Sequence, residues 1–256
     1  MSDTKNKIVW ITGASSGIGE ALAIYMARQG YCVAVSARSA DKLQQLAGQN
    51  YGAGRIVAYP ADVTNAEVVA KTVAAIQHDL GQLNIAVLNA GTHIPEGGIE
   101  LNMDAVRKQF DINVFSVMEC LRQLIPSMRQ NHGHIAVVAS VAGYRGLPRA
   151  IGYGASKSAL ITMTEAMRLD CEKLGIKLQL ICPGFVKTPL TDKNDFPMPF
   201  LIGVDKAAAI IYRGLMSSRF EIVFPWPMAV VMKLLRILPY RLYFAAIRAV
   251  TGVGKS

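Results

Sequence analysis

Thr12-Gly13-Ala14-Ser15-Ser16-Gly17-Ile18-Gly19 follows directly on an apolar run over residues 7–11. It leads into Ala21, Leu22, Ile24, Tyr25 and Met26, which recur as one helical face until Gly30 stops it. A strand that passes through a glycine-rich turn into a helix opens a βαβ unit. The glycines let the turn close tightly and let backbone approach a pyrophosphate. The helix N-terminus offers free N–H groups and partial positive charge. Ser15 and Ser16 add hydroxyl donors. Glycine spacing alone fits a ligand-free connection equally well; its position straight after the first strand favours a phosphate cradle made by Gly13, Ser15, Ser16, Gly17, Ile18 and Gly19.

The alternation continues outward from this turn. Further strands are expected over residues 31–36, 55–59, 84–88, 134–139 and 177–182. Helices are expected over 41–47, 66–80, 103–128 and 153–174, with Pro126 bending or ending the third of these. Buried strands separated by helices specify a parallel sheet covered on both faces. Right-handed crossovers make it a doubly wound (Rossmann) parallel sheet, a three-layer α/β/α sandwich. No repeat, low-complexity tract or linker interrupts it, so residues 1–256 are expected to form one domain with a C-terminal helical extension.

A chain of 256 residues, 52% hydrophobic, is long enough for one substantial core. Its first seven residues are polar, and residues 8–11 are too brief for the core of a signal peptide. Cys32, Cys120, Cys171 and Cys182 are scattered, which suggests neither a zinc site nor a disulfide framework. Reduced thiols in a cytoplasmic protein are the simple expectation. The net charge is +9, and a basic balance attracts phosphates, nucleic acid or anionic membrane surfaces. No acidic residue follows Glu221, yet Lys233, Arg236, Arg241, Arg248 and Lys255 do. That localisation argues for a basic, apolar tail over residues 225–256 and against nucleic-acid binding, for which no groove motif is present.

Tyr153 and Lys157 lie four apart on an expected helix and so share a face. A tyrosine titrates near ~10, too high for an efficient base at neutral pH, and a neighbouring ammonium stabilises its phenolate. Ser140 ends the fifth strand, where its hydroxyl can polarise a carbonyl for hydride attack. The second strand ends Ser36-Ala37-Arg38-Ser39. NAD-preferring sites usually place an acid at this point; Ala37 followed by Arg38 suits the extra 2′-phosphate of NADP(H), with NAD(H) as the alternative.

Several motifs now stand in order over residues 7–190. They are Thr12-Gly13-x-x-x-Gly17-x-Gly19, Asp62-Val63, Asn89-Ala90-Gly91, Asn113, Ser140, Tyr153-x-x-x-Lys157 and Pro183-Gly184-x-x-x-Thr188. In these the chain resembles the short-chain dehydrogenase/reductase family. The resemblance implies that Tyr153 gives a proton in reduction and takes it in oxidation, and that Ser140 positions the carbonyl. It implies that Lys157 holds the nicotinamide ribose and lowers the Tyr153 pKa, and that Asn113 anchors a water linking Lys157 to solvent. Asp62 and Val63 would contact adenine. Asn89, Ala90 and Gly91 would line the cofactor, and Pro183, Gly184, Val186 and Thr188 would close over its nicotinamide end. A homodimer through the helices over 103–128 and 153–174 is implied as well, with a tetramer less secure. The family also places a substrate lid over about 184–205.

Phe185, Phe196, Met198 and Phe200 fall in that lid segment, where they suit either an apolar substrate or packing on the core. His93 is expected at the cleft rim as an ordinary loop residue. His132 and His134 are expected in a turn, Cys182 in the core, and no metal site is expected. In the tail, Pro239 divides two expected helices. Neither has the roughly 20 uncharged apolar residues that span a bilayer. A basic amphipathic pair near Trp226 fits a membrane interface, as peripheral contact, slightly better than packing on the enzyme's own core, a partner subunit or the cleft. The residues therefore predict NADP(H)-dependent interconversion of a small-molecule carbonyl and a secondary alcohol, on an apolar or lipid-like substrate. The alternatives are an NAD-linked alcohol or hydroxysteroid dehydrogenase, and a cofactor-binding membrane adaptor with a vestigial site.

Overall fold

Five residues in a row, Ile8–Thr12, are all buried, so the first strand has no solvent face. A computed structural model, which describes residues 7–95, 100–193 and 196–251, shows what covers both sides. The strands are β1 (Ile8–Thr12), β2 (Cys32–Ser36), β3 (Arg55–Ala58), β4 (Leu83–Leu88), β5 (His134–Val138), β6 (Lys177–Pro183) and β7 (Glu221–Phe224). They form one sheet in the order β3-β2-β1-β4-β5-β6-β7, and every pairing is parallel. The order reverses between β1 and β4, which opens a crevice beyond their C-terminal ends, where ligands bind such sheets. Because side chains alternate along a strand, Ile8 and Trp10 of β1 enter one core while Val9 and Ile11 enter the other. The doubly wound three-layer sandwich is therefore present.

The helices are α1 (Gly17–Arg28), α2 (Ala40–Ala47), α3 (Ala66–Leu80), α4 (Met103–Phe110), α5 (Ser116–Met128), α6 (Ile151–Lys173), α7 (Val204–Leu215), α8 (Trp226–Ile237) and α9 (Tyr240–Thr251). One expectation needs correction. Residues 103–128 are not one α-helix: a π-helical turn, Asp111–Phe115, separates α4 from α5. Pro126 lies inside the last turn of α5, which ends two residues later at Met128; with no N–H it cannot donate to the carbonyl four residues back. Two elements were not anticipated. The helix α7 buries Ala207, Ala208, Ile211 and Leu215 against the α1 side of the sheet. The strand β7 is only four residues long and completes the far edge.

Pro239 does divide the tail. The inner face of α8 buries Met228 and Met232 in the core shared with Leu121, Leu160 and Cys182. The start of α9 is held by Arg145, whose guanidinium lies 4.6 Å from the Tyr240 ring centre and 4.5 Å from that of Tyr243. Among the described residues, no helix is long and apolar enough to cross a membrane. Residues 194–195 of the lid segment and Lys255 of the tail lie outside the described residues, as does the polar start before Lys7.

Candidate active site

The turn between β1 and α1 is shaped by what its glycines omit. Gly13 and Gly17 have φ of +68° and +62°, a left-handed region costly for other residues. A Cβ on Gly13 would lie 2.8 Å from the Ala90 Cα, and one on Gly19 would lie 2.5 Å from the Gly13 carbonyl oxygen. The Ser16 side chain makes no capping hydrogen bond, so the first N–H groups of α1 are not capped by it and face the crevice. Asn89, at the end of β4, locks the turn in place. Its Nδ2 donates to the carbonyls of Thr12 at 3.0 Å and Gly13 at 3.2 Å, while the backbone N–H groups of Asn89 and Ala90 both donate to Thr12 Oγ1 at 3.0 Å.

This turn lines a cleft of about 860 Å³. Ser15, Ser16, Ile18, Arg38, Asp62, Val63, Ala90, Gly91 and Thr188 all line it. Arg38 is exposed at the end of β2. The Asp62 carboxylate accepts from the Thr64 N–H at 3.0 Å and hydroxyl at 2.7 Å. These bonds, with a smaller contribution from Arg38, hold it below the usual carboxylate range. The cleft's size, its uncapped helix terminus and its cation beyond β2 fit a dinucleotide: phosphates at the glycine turn and adenosine between Arg38 and Asp62.

The cleft adjoins a smaller cavity of about 100 Å³, lined by Ser140, Tyr153, Lys157, Pro183, Gly184, Val186 and Thr188. Ile18, Asn89 and Gly91 border both spaces. The three elements that meet here are the ends of β5 and β6 and the first turns of α6. The Ser140 hydroxyl accepts from the Ala142 N–H at 3.1 Å and donates to the Pro183 carbonyl at 3.3 Å. A short 3₁₀ turn, Val141–Gly143, then brings the chain against α6, where a Cβ on Gly143 would lie 2.6 Å from the Lys157 carbonyl carbon.

Burial pushes the Tyr153 phenol above its ordinary pKa, and the hydrogen bond with Ser140 pulls it part of the way back. Lys157 is almost fully buried, with Nζ 5.8 Å from the Tyr153 ring centre and donating to the Val138 carbonyl at 3.0 Å. Burial holds the ammonium down to about 8. Asn113 sits in the π turn, completely buried. Its Nδ2 donates to Ser156 Oγ at 2.9 Å and to the Thr92 carbonyl at 3.0 Å, and its Oδ1 accepts from the Thr92 N–H at 2.7 Å. Ser156 in turn donates to the Tyr153 carbonyl at 2.7 Å. Gly91 leaves the gap between these groups open: a Cβ there would stand 3.3 Å from Asn113 Oδ1 and 3.4 Å from Lys157 Nζ.

Gly19 is buried beneath the turn, against Gly13 and Asn89; every other residue proposed from sequence for the site borders the two spaces or is hydrogen-bonded to a residue that does. Thr12, Thr92 and Ser156 went unassigned, although Ser156 lies inside Tyr153-x-x-x-Lys157 and Thr12 inside the glycine motif. His93 lies in the loop after β4, and its ring sits edge-on to Tyr153 with centres 4.9 Å apart. His134 is not in a turn but is the first residue of β5, buried, and its pKa is pushed down to about 3 by that burial. Cys182 is fully buried, its thiol pushed up to about 12. In the lid segment, Phe185 packs on the core and against Phe196, with ring centres 6.0 Å apart, whereas Phe196 and Phe200 are exposed.

The family model described as short chain dehydrogenase matches residues 7–197. An oxidoreductase of Myxococcus xanthus, named only as uncharacterized, is 36% identical over 250 residues, covering 97% of this chain and 99% of its own. That span takes in most of the tail. An uncharacterized oxidoreductase of Staphylococcus aureus is 31% identical over 214 residues, 83% of this chain and 92% of its own. Among solved structures, an alcohol dehydrogenase of Thermococcus sibiricus complexed with 5-hydroxy-NADP superposes with a TM-score of 0.77 at 27% identity, covering 85% of this chain and 95% of that one. A short chain dehydrogenase/reductase of Burkholderia phymatum in complex with NAD shares the fold, with a TM-score of 0.82 at 24% identity over 91% of this chain and 94% of that one. The chain belongs to the short-chain dehydrogenase family. It is an NAD(P)-dependent oxidoreductase that uses a nicotinamide dinucleotide.

Proposed function

We propose that the enzyme reduces a carbonyl to a secondary alcohol with NADPH, on an apolar substrate, through Asn113, Ser140, Tyr153 and Lys157. The observation that carries this reading is the convergence of Ser140, Tyr153 and Lys157 on one small cavity that opens into the dinucleotide-sized cleft. The bound nicotinamide supplies the hydride. Tyr153 gives its phenolic proton to the oxygen as negative charge gathers there, and the Ser140 hydroxyl donates to the same oxygen. The raised Tyr153 pKa keeps the phenol protonated at neutral pH, which is the state a donor needs. Lys157 places a cation beside the phenolate that is left. Thr92, Asn113 and Ser156 hold the helix segment bearing Tyr153 and Lys157, and Asn113 and Lys157 border the gap at Gly91 through which a proton can be returned.

NADP is favoured because the end of β2 presents Arg38 and no acid; the NADP analogue in the Thermococcus sibiricus structure accords with that. Asp62 and Val63 would take the adenine, and Pro183, Gly184, Val186 and Thr188 the nicotinamide end. An apolar substrate is supported by Phe185, which follows Gly184 in the chain, and by Phe196, whose ring packs against it. Exposed Phe115, Met118 and Leu169 on the π turn, α5 and α6 support a homodimer through those helices. A cytoplasmic setting accords with four free cysteines. Tyr153→Phe tests the central claim. Turnover on a carbonyl panel should fall about a thousand-fold, the scale of a lost general acid, while NADPH still binds. Retained turnover in that variant refutes the assignment.

A further inference from the structure

The two tail helices have an inner face that is accounted for and an outer face that is not. Met228 and Met232 of α8 and Tyr243 of α9 are buried. Opposite them, Trp226, Val230, Leu234 and Ile237 recur at helical spacing and are exposed, Trp226 and Ile237 at 76%. On α9, Arg241, Phe244 and Arg248 share a side by the same spacing and are also exposed. An apolar stripe of this length on a water-facing helix marks a surface that meets something.

Charge decides what it meets. Beyond Glu221 the chain has no carboxylate side chain. Lys233 is paired with Glu221, and Arg236 lies 3.9 Å from Glu165, so those two cations are answered within the protein. No ion pair joins Arg241 or Arg248 among the described residues, and they flank the aromatic Phe244. A second copy of this face would set arginine against arginine. An anionic lipid surface offers negative headgroups to the arginines and hydrocarbon to the stripe, and tryptophan favours the boundary between them.

We propose that the outer face of α8 and α9 docks the enzyme on an anionic lipid bilayer. Trp226, Leu234 and Ile237 enter the interface, and Arg241 and Arg248 lie at headgroup level. The docked face backs directly onto the cavity. A Cβ on Gly184, which lines the space beside Tyr153, would meet Pro225 Cδ at 3.1 Å and Met228 Cγ at 3.2 Å, so α8 is the outer layer of that wall. An apolar carbonyl dissolved in the bilayer would then reach Tyr153 along a short path. That last step rests on the function proposed above; the docking does not.

Full-length protein is sedimented with phosphatidylcholine vesicles that do or do not contain phosphatidylglycerol. The protein should sediment with the anionic vesicles, be released by high salt, and bind the neutral ones weakly. Arg241→Gln with Arg248→Gln should weaken partitioning about thirty-fold, the equivalent of about 1 kcal/mol per basic residue. Leu234→Ser with Ile237→Ser should weaken it on both kinds of vesicle. Circular dichroism and turnover of a water-soluble ketone show whether each variant is folded, and failure of the oxidoreductase reading would leave sedimentation untouched. Partitioning unchanged in both folded double variants overturns the proposal. So does a native chain that ignores the vesicles while the variants lose oligomeric mass in lipid-free buffer, which would make the face a subunit contact.

Discussion

The glycine turn at β1 and the tail after β7 sit at opposite edges of the chain and are specified in opposite ways. The turn is defined by absent side chains: Gly13 and Gly19 are needed because any Cβ would strike Ala90 or the Gly13 carbonyl. The tail is defined by side chains that are present on one face and engaged on the other. A site made of backbone tolerates almost no substitution and binds a ligand common to a whole family. A site made of exposed side chains can vary residue by residue, and it is where one member can differ from another. The contrast puts the shared cofactor turn between β1 and α1, and the surface proposed for docking on α8 and α9.

Three measurements can break or sharpen that contrast. The largest effect is expected from Gly19→Ala. The added carbon would sit 2.5 Å from the Gly13 oxygen and 2.6 Å from Asn89 Nδ2, so the turn must shift. An overpacking cost of about 1–3 kcal/mol translates to NADPH binding roughly ten- to a hundred-fold weaker by titration of nicotinamide fluorescence. Vesicle sedimentation should be unaffected; parallel loss of both would mean the two regions are not separate. Next is Arg38→Asp, which should reverse the ratio of NADPH to NADH turnover. Losing a charge-assisted contact worth about 1.5–3 kcal/mol predicts a change of about ten-fold or more in KM for NADPH, with Tyr153 chemistry intact. An unchanged ratio would remove Arg38 from the cofactor site. The smallest effect is expected from Arg145→Ala, which deletes the cation between Tyr240 and Tyr243 and its 2.7 Å hydrogen bond to the Arg236 carbonyl. About 1 kcal/mol of local stability should be lost, seen as faster proteolysis within α9. NADPH affinity should not move.

The parts legible in sequence were those whose cause is local. Thr12 to Gly19 states its own backbone conformation, and Tyr153 and Lys157 share a face by spacing alone. The π turn carrying Asn113 was not legible, because its cause is distant: it places one amide against Thr92 on one side and Ser156 on the other. Nothing in the residues 111–115 themselves departs from an ordinary helix. The strand β7 was missed because it has only four residues and opens on Glu221, so it shows no sustained apolar run. The helix α7 did carry a readable signal in Ala207, Ala208, Ile211 and Leu215. The Arg145 clamp joins residues far apart in the chain, and pairing of that kind leaves no trace in local pattern. The raised Tyr153 pKa also had to come from structure, since it follows from enclosure by the ends of β5, β6 and α6.

Glu221 accepts a hydrogen bond from Tyr144, just past the Ser140 turn, and an ion pair from Lys233 of α8. One carboxylate therefore ties the loop after Ser140 to the first tail helix. Substitutions on the proposed docking face, at exposed Trp226, Leu234 or Ile237, leave that carboxylate's two partners in place. A substitution at Lys233 pulls, through Glu221 and Tyr144, on the loop that follows Ser140. Lys233 thus joins Pro225 and Met228, which meet Gly184, as tail positions where the outer layer and the reacting centre are inherited together.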